Sequence, residues 1–173
     1  MVSIPSVSMP FNFTLEKIQI DIEKKYQNIK HISSESFLKL GRENTIVFDV
    51  REKNEFNVSH IKGAKQVAPD VDNKEFIKKF SKQIKGKNIV FYCSVGRRSS
   101  ALATRIKPLL EKQGVHEIYN LKGGVFNWHN QKRVLIQQGH PTHFIHPFNT
   151  KWGRLLEDKK SIKFTPETFL QKD

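Results

Sequence analysis

The sequence predicts an α/β fold in which a central, mainly parallel sheet is flanked by helices. Two short, largely apolar runs, at positions 45–50 and 88–92, are typical of strands covered on both faces, and residues 117–121 are predicted as another short strand. Segments with helical spacing lie between these runs. Strands that alternate with helices at these intervals favour a three-layer arrangement with right-handed crossovers.

Two short helices are predicted before the first long strand. Residues 15–22 contain three apolar side chains at helical spacing. Further along the chain, Ser33 or Ser34 can cap a second helix, which Gly41 would end.

Three further helices are predicted between and after the strands. Residues 73–85 combine an apolar stripe with a face of lysines, which is most simply a solvated face. Residues 99–113 resume helical spacing, and Gly123-Gly124 start a last short helix. Pro108 lacks an amide donor, so it should kink the second of these helices or mark its final turn.

Length and composition suggest one domain with polar extensions. The 173 residues are enough for a sizeable core, and 37% of them are apolar while 27% are charged. We predict an N-terminal extension over residues 1–30, a central domain over 31–130 and a C-terminal extension over 131–173. The C-terminal extension has no clean period and is expected to be irregular and partly docked. Its candidate docking residues are Phe148, Trp152, Leu155 and Leu156.

Composition also excludes several classes of protein. The longest apolar runs are far shorter than the roughly 20 residues that a membrane-spanning helix needs, so no membrane partner is expected. The single cysteine, Cys93, excludes an intramolecular disulfide and a multi-cysteine zinc site. Because residues 1–30 lack the arginine-rich, acid-poor pattern of a transit peptide, we expect a reducing, cytoplasmic setting.

The positive charge is concentrated in the middle of the chain. Residues 74–113 hold 11 basic and 2 acidic side chains, within a net charge of +13 for the whole chain. A basic field of this kind favours anionic ligands and speeds their approach. Because the lysine face has no interleaved aromatic residues, we do not expect nucleic acid as a partner.

The candidate site is a cysteine at the start of a helix. Ligands of open α/β sheets bind beyond the carboxyl ends of the strands, and Cys93 directly follows the run 88–92. Gly96 lets the next turn close tightly, and the amides at the helix start can converge on an anion. Together with Arg97 and Arg98, this positive end should favour the thiolate, which predicts a nucleophilic cysteine.

Three sequence blocks resemble, in order, the recurrent blocks of the rhodanese family. They are FDVREKNEFNVSHIKGAKQV at 48–67, CSVGRRS at 93–99 and LKGGVFNW at 121–128. The resemblance covers about residues 30–130. It implies a rhodanese-like domain with the activity of a thiosulfate sulfurtransferase.

The resemblance also implies roles for the loop residues. Cys93 would accept the sulfane sulfur of thiosulfate, or of a similar anionic donor, as a persulfide. It would then pass the sulfur to cyanide or to a small or protein thiol, since no second cysteine exists in the chain. Arg98 would close the loop, and neither a cofactor nor a metal is implied. The implied substrate-binding residues are Ser94, Val95, Gly96, Arg97, Arg98 and Ser99.

Two alternatives remain at this point. Phosphatases of the cell-division-cycle type and arsenate reductases share the fold but use a Cys-x5-Arg loop, whereas this sequence reads Cys-x4-Arg with Ser99 next. Phosphate ester cleavage usually needs a general acid, and no acidic residue lies between Glu75 and Glu111. The second alternative is a sulfur-relay or docking module for a protein or tRNA partner.

Other polar residues receive simpler interpretations. Asp49 and Arg51 are expected near the same sheet edge as Cys93, where they could orient the loop. A structural ion pair, with Glu52 or Glu55 as further partners, is the simpler reading. The histidines of the C-terminal part lie among prolines, with no acidic ligand nearby, so no metal site is expected.

Overall fold

The computed structural model describes residues 13–167. Its strands are β1 (Lys30–Ile32), β2 (Thr45–Asp49), β3 (Lys65–Gln66), β4 (Asn88–Tyr92), β5 (Glu117–Leu121), β6 (Leu135–Gln137) and β7 (His140–Thr142). Its helices are α1 (Leu15–Lys25), α2 (Ser34–Lys39), α3 (Lys53–Val58), α4 (Asn73–Ile84), α5 (Arg97–Lys112), α6 (Gly124–Asn130) and α7 (Thr150–Gly153), with a 3-10 turn at Lys159–Ser161.

The main sheet has five strands in the order β1-β5-β4-β2-β3, and all neighbouring strands in it are parallel. The expected α/β fold with a mainly parallel central sheet is therefore confirmed. Every residue of the central strand β4 is buried, which explains its unbroken apolar pattern. Parallel strands point their carboxyl ends to one edge, so Asp49 at the end of β2 and Tyr92 at the end of β4 lie side by side.

A separate apolar core lies on each face of the sheet. On one face, α4 and α5 bury residues such as Phe76 and Ile106 against Phe48 and Phe91 of the strands. On the other face, α1 and α6 contribute Ile22 and Phe126, among other residues, to a second core. The three-layer arrangement follows from these two buried surfaces.

Most predicted helices lie where the sequence pattern places them. Ser33 caps α2 by accepting a hydrogen bond from the amide of Ser36 at 3.2 Å. Pro108 lies inside α5, which continues to Lys112. Helix α3 was not predicted, and it begins with a capping box formed by Glu52 and Glu55.

The C-terminal part is more regular than expected. The strands β6 and β7 form an antiparallel hairpin that precedes α7. Ile145 and Leu156 are buried in the core that contains α1 and α6. These strands are only three residues long and β7 contains Pro141, so no period of two could show in the sequence. The proposed domain limits at residues 30 and 130 stay predictions.

Across residues 13–167, none of the helices combines the length and the apolar character needed to cross a membrane.

Candidate active site

Cys93 lies at the carboxyl end of β4, where the chain turns into α5. Gly96 precedes the helix with a φ of 98°, a left-handed conformation that favours glycine. Its amide donates a hydrogen bond to the Cys93 Sγ at 3.2 Å. A Cβ at Gly96 would lie 3.0 Å from the Asn120 Nδ2, so a side chain there would crowd the loop. The turn thus aims a backbone donor at the sulfur.

The first turn of α6 holds the loop from the opposite side. The amide of Val125 donates to the carbonyl of Cys93 at 2.9 Å, and the amide of Phe126 donates to the carbonyl of Ser94 at 3.0 Å. A Cβ at Gly124 would lie 2.3 Å from the Cys93 carbonyl oxygen, which only glycine avoids. These contacts give the GGVF segment of the sequence a physical role, because its amides bind the carbonyl groups of the cysteine loop.

Arg98 forms a clamp with Glu55 across the loop. Its guanidinium donates to both carboxylate oxygens of Glu55, at 2.7 and 2.8 Å, and to the Ser94 Oγ at 3.0 Å. The Ser94 hydroxyl also donates to the Glu55 Oε1 at 3.0 Å. The clamp therefore joins α3, the loop and the first turn of α5 through charge-assisted hydrogen bonds.

The ionisation of both clamp residues is shifted by this pairing. Burial opposes ionisation of Glu55, but the hydrogen bond and charge of Arg98 outweigh burial and lower the pKa of that carboxyl. Burial likewise opposes the charge of Arg98, yet the bond to Glu55 and the interaction with Cys93 raise the pKa of the guanidinium. Arg98 is thus close enough to the Cys93 sulfur to interact with it electrostatically.

A fully buried ion pair lies beneath the loop. Arg51 donates from Nε and Nη2 to the two carboxylate oxygens of Asp49, at 2.8 and 2.6 Å. The Tyr92 hydroxyl donates to Asp49 at 2.7 Å and accepts from the amide of Ile61 at 3.0 Å. This network fits the structural interpretation of the pair. Glu55, expected as one of its further partners, instead binds Arg98.

Helix α1 supports the loop from the N-terminal side. The Gln19 Oε1 accepts a hydrogen bond from the amide of Gly123 at 2.8 Å, just before α6. The Cδ1 of Ile22 would lie 3.6 Å from a Cβ at Gly96. Residues outside the predicted central domain therefore contact both glycine segments of the site.

The C-terminal part reaches the outer side of the loop. The ring centroid of Phe148 lies 4.8 Å from the Arg98 Cζ, and the ring centroid of Trp152 lies 5.7 Å from the Arg97 Cζ. The amide of Phe148 donates to the His146 Nδ1 at 3.0 Å. Burial lowers the pKa of His146, which is consistent with a neutral ring that accepts this bond.

The predicted site residues are largely brought together. Cys93, Ser94, Val95 and Gly96 are buried, while Arg97 is exposed and Arg98 is half-buried. The hydroxyl of Ser99 donates a hydrogen bond to the Asn120 Oδ1 at 2.6 Å. Their roles in binding a donor stay predictions.

Glu55 is the site residue that sequence reasoning placed with the wrong partner. Its one signal is the spacing of Glu52 and Glu55, which marks a helix start shortly after β2. Since the carboxyl ends of parallel strands share an edge, an acidic residue in that first turn lies near the loop that follows β4.

Two histidines lie at hydrogen-bond distance from backbone carbonyl oxygens. The His129 Nε2 lies 2.8 Å from the carbonyl oxygen of His143, and the His60 Nδ1 lies 3.1 Å from that of Phe56. Within the described range, no group of three His, Cys, Asp or Glu side chains is placed to hold a metal ion.

Residues 34–131 match the family of rhodanese-like domains. The chain is 34% identical over 111 residues to the tRNA uridine(34) hydroxylase of Pelagibacter ubique (strain HTCC1062), across 63% of this chain and 35% of that protein. A protein of the same name from Staphylococcus epidermidis (strain ATCC 12228 / FDA PCI 1200) is 31% identical over 113 residues, across 62% of this chain and 33% of the relative. The chain thus spans about a third of the length of these curated relatives.

Solved structures share the fold at low sequence identity. The thiosulfate sulfurtransferase from Pseudomonas aeruginosa superposes with a TM-score of 0.55 and 15% identity, across 82% of this chain and 26% of that one. A protein from Bacillus halodurans superposes with a TM-score of 0.51 and 19% identity, across 81% of this chain and 97% of the other. These likenesses concern the fold alone.

Proposed function

The chain belongs to the family of rhodanese-like domains, and from that premise we propose that it transfers a sulfane sulfur through a persulfide on Cys93. The observation that carries this proposal is the hydrogen bond of 3.2 Å from the Gly96 amide to the Cys93 Sγ. A backbone donor aimed at the sulfur stabilises negative charge on a thiolate, both before loading and when Cys93 leaves as a thiolate on unloading.

The first step loads the cysteine. The Cys93 thiolate attacks the outer sulfur of thiosulfate, or of a similar anionic donor. A new S–S bond forms on Cys93, the S–S bond of thiosulfate breaks, and sulfite leaves with the electron pair. No proton has to be donated to the leaving group, so the absence of a general acid from the Cys-x4-Arg loop is compatible with this step.

The clamp of Glu55 and Arg98 positions the loop during this step. Arg98 shares its charge with a carboxylate, so its contribution to anion binding is reduced by that pairing. Arg97 makes no ion pair with another residue of 13–167, and it is exposed beside the loop. Arg97 is therefore the side chain best placed to attract the donor, and Arg98 holds the loop in shape.

The second step unloads the cysteine onto an outside nucleophile. The acceptor attacks the outer sulfur of the persulfide, takes that sulfur and returns Cys93 as a thiolate. Because the chain has one cysteine, no second thiol of the same chain can resolve the persulfide. The acceptor is cyanide in an assay, or a small or protein thiol.

A tRNA-directed role is the second candidate. It is favoured by the name tRNA uridine(34) hydroxylase, which both curated relatives carry, and it runs against the sequence-based expectation that nucleic acid is not a partner. The chain would then act as the rhodanese-like part of a tRNA-modifying system. Four exposed lysines of α4 and Lys85, which directly follows the helix, form no salt bridge with an acidic residue of the described chain and offer a surface for phosphates. They are Lys74, Lys78, Lys79, Lys82 and Lys85.

The main proposal is tested by intact-protein mass after treatment with thiosulfate and desalting without reductant. The expected result is the gain of one sulfur atom, absent in Cys93→Ser and removed by cyanide. An unchanged mass, with Cys93 shown to be free and reduced, would reject sulfur transfer from thiosulfate. Circular dichroism of Cys93→Ser establishes that the variant is folded.

The tRNA candidate is tested by binding to a tRNA transcript at increasing salt. The logarithm of the binding constant should fall linearly with the logarithm of the salt concentration, with a slope of about −0.7 to −0.9 per neutralised phosphate. Replacing Lys74, Lys78 and Lys82 by Gln should make the slope shallower, whereas Lys24→Gln and Lys25→Gln on α1 serve as matched controls. If the transcript is not bound even at low salt, this candidate is rejected.

A further inference from the structure

A segment of the C-terminal part, residues 146–152, lies across the outer side of the active-site loop and is called here the aromatic strap. Its position is fixed at both ends. Before the strap, Ile145 is buried, and its amide donates to the carbonyl of Ser161 at 2.9 Å. After the strap, Leu156 is buried, and the carbonyl of Leu155 accepts from the Asn130 Nδ2 at 2.9 Å. The strap is therefore part of the fold around the site.

The strap places one aromatic ring on each loop arginine. Phe148 contacts the guanidinium of Arg98, and Trp152 contacts that of Arg97. Phe148 remains 43% exposed, so part of its ring is open to a ligand. Aromatic rings beside guanidinium groups form a surface on which a planar, negatively charged molecule can stack and pair at once.

The backbone of Phe148 is held in an unfavourable conformation to make this contact. Its φ is 66°, in the left-handed region that large side chains rarely adopt. The hydrogen bond from its amide to the His146 Nδ1 secures this conformation. A strained residue that persists beside a reactive group points to a function at that position.

This surface adjoins the loop that carries Cys93. Cys93 is only 1% exposed, and the exposed or half-exposed charges next to it are Arg97 and Arg98. Arg98 is already paired with Glu55, whereas Arg97 has no carboxylate partner within 4 Å among residues 13–167. An acceptor that approaches Cys93 past Arg97 and Arg98 therefore meets two aromatic rings and one cation without a carboxylate partner.

We infer that Phe148 and Trp152 make the site selective for an acceptor whose nucleophilic sulfur is carried on a negatively charged aromatic ring. This inference rests on the proposed function, because it concerns the unloading of the Cys93 persulfide. In the step, the aromatic thiolate attacks the outer sulfur and forms a new S–S bond. The S–S bond to Cys93 breaks, and Cys93 leaves as a thiolate.

The test measures unloading of the persulfide by two matched thiols. The protein is loaded with thiosulfate, desalted and mixed with 4-mercaptobenzoate or with 3-mercaptopropionate, each in excess. The quantity compared is the ratio of the two rate constants, aromatic over aliphatic. Comparing this ratio between variants cancels the intrinsic nucleophilicity of each thiol. Cyanide shows separately that each variant carries a transferable sulfur.

The variants are Phe148→Leu and Trp152→Leu, with Phe144→Leu as the matched control. Phe144 belongs to the same extension and also lies against a cation, but that cation is Lys163, at 4.8 Å from the ring. We expect the ratio to fall about 5-fold to 20-fold in the two strap variants, as for the loss of one stacking contact, and to stay unchanged in the control. An unchanged ratio in both strap variants overturns the inference.

A second measurement needs no variant. Benzoate should slow unloading of the loaded wild-type protein by 3-mercaptopropionate, while propionate at the same concentration should not. Equal effects of the two carboxylates contradict the inference even where a strap variant does not fold. Failure of the proposed function would give a different result. A protein that gains no sulfur from thiosulfate cannot be unloaded by any of these acceptors, cyanide included.

Discussion

Glu55 and Arg98 are joined by two hydrogen bonds although 43 positions separate them in the sequence. The carboxylate comes from α3, which follows β2, and the guanidinium comes from the first turn of α5, which follows β4. Because β2 and β4 are parallel neighbours, the two helix starts meet at one edge of the sheet. The pair therefore couples the shape of the cysteine loop to the packing of a helix that contains no reactive residue.

The ion pair of Glu55 and Arg98 should make the free energy of unfolding depend on pH. The folded-state pKa of Glu55 is lowered, so its contribution is fully present above the unfolded value of about 4.3 and is lost as the pH falls through the lower folded value. Urea unfolding at pH 7 and at about pH 3 should show a smaller acid-induced loss in Glu55→Gln than in wild type. Glu35→Gln, which changes an exposed pair with Arg133, is the control. Equal losses in wild type and Glu55→Gln would contradict the role of this pair.

Arg98 should affect loading more than folding. Arg98→Gln alone leaves the Glu55 carboxylate buried without its cation, which costs about 1–3 kcal/mol. Combining it with Glu55→Gln removes this orphaned charge. We expect the double variant to recover much of the stability while its apparent donor affinity stays about 10-fold weaker, because the loop is no longer held. Steady-state kinetics with thiosulfate and urea unfolding measure the two effects, and wild-type donor affinity in the double variant would refute the positioning role.

Gly124 should tolerate no side chain. In Gly124→Ala the Cβ would meet the Cys93 carbonyl oxygen at 2.3 Å, at a backbone φ of 58°. We expect a loss of about 3 kcal/mol or more, or failure to fold. Gly63→Ala is the matched control, because Gly63 has a φ of 83° and nothing within 4 Å of the added Cβ. Chemical denaturation should show a loss of only about 1 kcal/mol for that control. Similar losses in both variants would mean that the contact with the carbonyl is unimportant.

The buried pair of Asp49 and Arg51 should be far more sensitive than a surface pair. Asp49→Asn leaves a fully buried guanidinium without its carboxylate, which costs about 3–5 kcal/mol. In contrast, Asp21→Asn breaks a half-exposed pair with Lys17 and should change the stability far less, because water screens an exposed pair. Thermal unfolding of the two variants measures the difference. Comparable shifts in melting temperature would argue against a structural role for the buried pair.

The sequence was sufficient to predict those features whose conformation depends on a few consecutive residues. The buried strand β4, the cysteine after it and the glycine before α5 lie within ten residues of one another, so the central part of the site could be predicted directly. The apolar run at β2 and the short strand expected at β5 were predicted in the same way. What these features share is that the chain itself, over a few residues, sets their conformation.

Features that depend on tertiary contacts were missed. Strands β1 and β3 have three and two residues, which is too short for any period, and they exist because a neighbouring strand pairs with them. The Glu55 clamp requires two helices to meet at one sheet edge. Phe148 and Trp152 were expected from the sequence as docking residues, but their contacts with Arg98 and Arg97 depend on tertiary packing and could not be predicted.

The single thiol of the chain can serve as a natural probe of opening of the cysteine loop. Cys93 is the only cysteine and is 1% exposed, so an alkylating reagent can react at one site only, and only when the loop opens. The rate of labelling by a small uncharged reagent such as iodoacetamide therefore reports how often the loop exposes the Cys93 sulfur. Comparing that rate with the rate for a bulky maleimide gauges how wide each opening is, in the natural protein and without an engineered probe.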